Sequence, residues 1–197
     1  MSNYGQVLSI IEWPHPTLRR TAQAVTQFDP LLHHLVDQMW DTMYAAPGVG
    51  LAAPQVNQSL RIFVMDCAAR ESEARRFVAI NPILRDPKGN VQSSEGCLSF
   101  PGLNVTVSRA EEVTLIAQDL NGVEYQERLT GLEAICAQHE LDHLDGLSFI
   151  DHLPPLERVS SLQKYLDELQ KLPDIDASLV SLTKEALETS LNEALKM

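Results

Sequence analysis

The chain has 197 residues, 44% of them hydrophobic and 21% charged, which suits one globular domain of roughly 100–200 residues that buries its own core. Fifteen basic residues against 27 acidic ones give a net charge of −12 with histidine neutral. That balance argues against direct nucleic-acid binding, because phosphate contacts need clustered Lys and Arg.

Three cysteines, Cys67, Cys97 and Cys136, stand at wide spacings that suggest no disulfide framework and fit a reducing compartment. No apolar run approaches the ~20 residues that span a bilayer. The first residues lack the basic and apolar stretches of a signal peptide. A cytoplasmic protein without a membrane partner is expected.

In chain order, Val7 to Ile11 reads as a short strand. Trp13-Pro14-His15-Pro16 reads as extended chain, because proline keeps the residue before it out of a helix. Asp29-Pro30 supplies an N-cap carboxylate and a first-turn proline. Leu31, Leu32, Leu35, Val36, Met39, Trp40 and Met43 then recur at helical spacing until Pro47 and Gly48.

Short branched runs predict strands at 61–66, 77–81, 105–107, 113–119 and 123–129. Turn signals separate them at Asp86 to Asn90 and at Asp119 to Gly122, the latter with a hairpin-forming Asn-Gly. Thr130-Gly131-Leu132-Glu133 has the form of a capping box, opening a helix to about Asp145 with Gly146 as its C-cap. The rest is helical in pattern, broken near Leu172-Pro173-Asp174.

The expected class is α+β: antiparallel strands around a central helix, with an N-terminal and a C-terminal helix. Residues 1–172 are expected to form the catalytic domain and 173–197 a helical extension.

His139-Glu140-Leu141-Asp142-His143 places H-E-x-x-H on the central helix. Residues four apart lie one turn above each other, so both imidazoles reach one metal ion, and Glu140 stands beside them as a base. Chance would place this pattern in about one or two per cent of chains of this composition, so accident is the weaker reading. In peptidases with the longer H-E-x-x-H-x-x-G-x-x-H pattern a third histidine follows. Here Gly146 fills the glycine slot but Phe149 fills the ligand slot, which disfavours that group. His152, just beyond, is off register and expected at the surface.

The third ligand is therefore sought in Glu95-Gly96-Cys97-Leu98-Ser99, where a cysteine beside glycine can project from a turn into a cleft. Cys67 and Cys136 read as small buried hydrophobes. Gly48-Val49-Gly50-Leu51-Ala52-Ala53-Pro54-Gln55 is rich in small residues that let backbone approach a ligand closely. It follows a helix and lacks a third glycine, so it is no dinucleotide site.

These three segments, in this order, resemble the three signature motifs of the peptide deformylase family, and Pro14 to Arg19 resembles that family's N-terminal segment. The likeness covers about residues 7–170. It implies a metal-dependent hydrolase that removes the N-formyl group from the formyl-methionine of newly made polypeptides and releases formate.

Carried over by position, it implies Cys97, His139 and His143 as metal ligands and Glu140 as general acid/base. Gln55 and the Leu98 N–H would bind the oxyanion, Gly50 the substrate backbone, and Val49, Leu132, Ile135 and Cys136 the methionine side chain. The implied cofactor is one divalent ion, usually Fe(II), with zinc, nickel or cobalt able to take its place. The implied partners are N-formyl-methionyl nascent peptides.

Two departures concern selectivity: Asn104 stands where many members carry a basic residue, and Ser93 where an aliphatic one is common. A different metal-dependent amidase would instead cleave peptides without a formyl group. A non-catalytic relative would be expected to lack a ligand or Glu140. The third departure is the tail. From Leu156 onward five basic residues face eight acidic ones, so counterion release cannot drive this segment onto the ribosome as it does a basic helix.

Overall fold

The computed structural model describes residues 6–68, 75–171 and 175–196. Helix α1 (Pro30–Ala45) is followed by seven strands among these residues: β1 (Gly50–Ala52), β2 (Ile62–Asp66), β3 (Arg76–Lys88), β4 (Val91–Cys97), β5 (Phe100–Arg109), β6 (Glu112–Gln118) and β7 (Glu124–Thr130). Helices α2 (Gly131–Leu144), α3 (Pro155–Leu169) and α4 (Ala177–Ala194) complete the chain. Five strands form an antiparallel sheet in the order β1-β2-β3-β6-β7, and β4 and β5 form a separate antiparallel pair.

The five-stranded sheet is covered on both faces, which explains why every residue of β2 is buried. Ile62 and Val64 join Leu32, Val36, Met39 and Met43 of α1 in one core. Phe63 and Met65, pointing the other way, join Ala134, Cys136, Ala137 and Leu144 of α2 in another. A third core lies under β5, where Phe100, Leu103, Val105 and Val107 meet Phe149, Leu162, Tyr165 and Leu169. The Tyr165 hydroxyl donates to the Trp13 carbonyl at 2.9 Å. Ile175, Leu179, Ala186 and Leu187 pack on the outside of this core, so α4 lies back against α3.

The α+β class and the antiparallel pairing match the expectation, and residues 139–143 fall within α2. Asp29 caps α1 by accepting from Leu31 and Leu32 N–H at 3.0 Å. The 121–122 turn closes its hairpin, with Gly122 at φ +77°.

Other expectations fail for identifiable reasons. Residues 7–11 form no strand. Among the described residues their backbone bonds are Leu8 N–H to Thr42 Oγ1 and Ile11 N–H to the Gln55 carbonyl, too few for a ladder. The segment after Trp13 turns into a 3-10 helix, Pro16–Arg19, although His15 keeps the expected extended backbone. β3 continues past Asn81 to Lys88, because register shifts at Ile80/Ile83 and Arg85/Lys88 absorb Pro82 and Pro87. Thr130 is the N-cap of α2 but makes no side-chain cap bond, and Glu133 turns instead to Arg75 at 2.5 Å. Leu31 is exposed, outside the buried stripe of α1. The break expected at Leu172-Pro173-Asp174 lies outside the described residues.

Candidate metal centre and active site

α2 presents His139 and His143 one turn apart toward the end of β4, where Cys97 sits. One ligand atom from each of the three lies within 4.8 Å of the others. The Cys97 Sγ to His143 Nε2 distance is 3.2 Å. A tetrahedral ion with bonds of about 2.3 Å to sulfur and 2.0 Å to nitrogen sets such atoms about 3.5 Å apart, so the cluster needs little adjustment to hold one.

His139 Nδ1 faces Glu95 Oε2 at 2.9 Å, which leaves Nε2 to offer its lone pair to the cluster. His143 Nδ1 and Glu140 Oε2 are buried without a hydrogen-bond partner among the described residues. Buried polar atoms are rarely left so, and an open carboxylate oxygen beside three ligands fits a centre built to hold a cation and a reactant.

Electrostatics favours the thiolate, whereas His139 must give up a proton to the cation that replaces it. Burial works against a Cys97 thiolate, but the charges and hydrogen bonds of His143 and His139 outweigh it and bring the thiol down to about 5. Burial likewise opposes the charged form of His139, which bonds to Cys97 and Glu95 nevertheless hold well above its usual range. Glu140 is pushed up to about 7, chiefly by burial.

Behind the ligands lies a buried ionic frame. Arg109 grips Glu95 with two parallel bonds of 2.8 and 3.0 Å and reaches Asp142 at 2.8 Å. Asp142 also holds His152 Nε2 at 2.7 Å, so His152, exposed at the surface as expected, closes the outer edge of the frame. Phe149, in the slot of the absent third histidine, is buried and stacks on His139 with ring centroids 5.8 Å apart.

Arg109 and its role escaped the sequence reading, although the signal was there. Along β5, Val105, Val107 and Arg109 share one inward face by strict alternation, and an arginine ending an apolar row calls for buried carboxylates. Ser99, fully buried, was also passed over.

In front of the ligands opens a cleft of about 550 Å³. Gln55, Leu98, Cys97, His139 and Glu140 line it, as do all the residues expected around the substrate: Val49, Gly50, Leu132, Ile135 and Cys136. Ser93 and Asn104 lie on its wall.

The Gln55 amide is fixed in one orientation. Its Oε1 accepts from the Ala52 N–H at 2.8 Å, so Nε2 points at Ser99 Oγ, 3.3 Å away, and at Cys97 Sγ, 3.5 Å away. Gly50 is glycine because a Cβ there would collide with Glu140 Oε1 and with Cys136 Sγ at 2.7 Å. Leu132 is half exposed at the mouth.

An α+β domain with one thiolate and two imidazoles at the floor of a cleft, flanked by a carboxyl and a fixed amide, has the makings of a metal-assisted hydrolase. The family model for polypeptide deformylase matches residues 7–159. The peptide deformylase of Thermodesulfovibrio yellowstonii is 41% identical over 159 residues, 81% of this chain and 96% of the relative. That of Hahella chejuensis is 43% identical over 166 residues, 84% and 97% of the two chains. The crystal structure of a peptide deformylase from Legionella pneumophila superposes with a TM-score of 0.78 at 41% identity, covering 85% of this chain and all of that one. The structure of the Synechococcus elongatus enzyme in complex with actinonin gives 0.76 at 37% identity, over 83% and 89%. The chain belongs to the polypeptide deformylase family, whose members are hydrolases that bind a single metal ion.

Proposed function

We propose that the protein hydrolyses the N-formyl group of formyl-methionyl polypeptides, releasing formate, with Cys97, His139 and His143 holding one divalent cation. The observation that carries this reading is the ligand cluster beside Glu140 Oε2, which has no hydrogen-bond partner among the described residues. A bound divalent cation supplies a Lewis acid for a carbonyl oxygen and an acidified water. One thiolate and two imidazoles suit Fe(II), zinc, nickel or cobalt, and we propose Fe(II) as the native ion.

Glu140 takes the proton of the attacking water and returns it to the leaving amine. Gln55 Nε2, already aimed by Ala52, and the Leu98 N–H donate to the oxygen on which negative charge develops. Gly50 lets the substrate backbone approach, and Val49, Leu132, Ile135 and Cys136 receive the methionine side chain. The formyl hydrogen fits where an acetyl methyl would clash.

Among the described residues no helix is long and apolar enough to cross a membrane. We place the enzyme in the cytoplasm, acting on nascent chains. Residues 173–197 form an extension outside the catalytic domain. Five basic against eight acidic residues from Leu156 onward give this region no electrostatic drive toward the ribosome.

The test is formate release by anaerobically prepared, iron-loaded protein, beside zinc-loaded protein. Formyl-Met peptides are compared with acetyl-Met and free Met peptides. Turnover confined to the formyl substrate is expected, and cleavage of the unformylated peptides would overturn the assignment.

A further inference from the structure

Two of the three cysteines are unused by the proposed chemistry as reactive groups, yet the fold brings them together. Cys67 follows the last residue of β2, and Cys136 lies in the second turn of α2. Cys67 Sγ stands 3.9 Å from the Leu132 carbonyl. In a helix that carbonyl accepts the N–H of the residue four further on, which is Cys136.

The second approach is independent. Cys136 Sγ stands 3.7 Å from the Val49 carbonyl, and the same carbonyl accepts the N–H of Asp66, the neighbour of Cys67, at 2.9 Å. Each thiol thus lies against the other's element, Cys67 Sγ on the first turn of α2 and Cys136 Sγ on the carbonyl that binds the end of β2, and Cys67 together with burial pushes the Cys136 thiol up. Cys67 is partly exposed, whereas Cys136 is buried behind Val49 and Gly50.

We propose that Cys67 and Cys136 are a modification site: a thiol pair that hydroperoxides close into an internal disulfide against the wall of the cleft. The exposed member reacts first. The Cys67 sulfur attacks the peroxide oxygen, the O–O bond breaks, and the departing oxygen leaves as water, or as an alcohol from an organic peroxide. The sulfenic acid on Cys67 is then attacked by the Cys136 sulfur. The S–S bond forms as the S–O bond breaks, and the leaving hydroxide takes the Cys136 proton as water. Two thiols are oxidised by two electrons and one peroxide is reduced.

The bond ties α2 to the end of β2 and draws the Cys136 sulfur off the Val49 carbonyl, so it reshapes the pocket wall without touching the ligand cluster.

The experiment treats full-length zinc-loaded protein with hydrogen peroxide, zinc being redox-inert. Free thiols are then alkylated and the peptides weighed. The expected result is a Cys67–Cys136 cross-linked peptide, loss of two of the three thiols, full return with dithiothreitol and unchanged zinc content. Cys67→Ala should abolish the cross-link, and Cys136→Ala should leave a Cys67 sulfenic acid that dimedone traps. A cross-link to Cys97, a Cys67–Cys67 dimer of two chains, or alkylation of both Cys67 and Cys136 after the challenge would each overturn the proposal. The linkage is read from peptide mass, so it stands or falls separately from the proposed hydrolysis.

Discussion

The cleft wall and the C-terminal helices are held in place by different forces. Behind the ligand cluster, buried Arg109 binds both the buried Glu95 and the partly buried Asp142, and Glu95 passes that order on to His139. α4 buries only Thr183 fully, leaves Leu182 and Leu191 exposed, and reaches Arg158 through Glu193 at a loose 3.9 Å. The first arrangement fixes each charge through directed bonds and fails badly if one member is removed. The second adds apolar cover to a core that β5 and α3 already close. A site that must position three ligands uses the first kind, and an extension tolerates the second.

The largest effect is expected where that frame is broken. Arg109→Met leaves two buried carboxylates without their cation, at a cost of about 3–5 kcal/mol. Loosening of Glu95 should also lower metal affinity by about 10–100-fold. Denaturant unfolding and competition with a chelator measure the two separately. A variant as stable and as tightly loaded as the wild type would show that the frame is ornamental.

Next comes Gln55→Ala, for which kcat should fall by about 10²–10³-fold. A change confined to KM would remove Gln55 from oxyanion binding.

Smaller is Tyr165→Phe, which deletes one buried hydrogen bond to the Trp13 carbonyl and should cost about 1 kcal/mol. Thermal unfolding should register it with kcat unchanged, and a fall in kcat would mean that the third core and the cleft are coupled.

The smallest effect on catalysis is expected from truncation after Leu172. All the proposed catalytic residues lie upstream, so hydrolysis of small formyl-peptides should persist while the midpoint of unfolding drops. Lost turnover in a folded truncation would erase the contrast between the two regions.

Much of this was legible in the sequence because it depends on short-range spacing. The i, i+4 histidines, the Asp29-Pro30 start of α1 and the Asn121-Gly122 turn each carry their geometry within a few residues. β4 did not announce itself. Val-Gln-Ser-Ser-Glu-Gly-Cys has little strand propensity, and the segment is extended because β5 pairs with it from Val91 to Cys97. β3 was cut short by its two prolines, which only the bulged pairing with β6 makes tolerable.

Cys97 was singled out from a glycine-flanked turn, but what its thiol faces depends on residues 42 and 46 positions away in the chain. The Arg109 frame joins β4, β5, α2 and the turn at His152, a closure that no local pattern encodes. Thr130 and Glu133 show the converse: a sound local motif lost its Glu to Arg75, fifty-eight residues distant.

The most direct test of the central claim pairs metal content with turnover in Cys97→Ala and Glu140→Gln. The account predicts that Cys97→Ala loses its stoichiometric metal and its activity together. Glu140→Gln should keep the metal while kcat falls by about 10²–10⁴-fold. A Cys97→Ala protein that still binds one tight equivalent and turns over, or a Glu140→Gln protein with full kcat, would contradict it.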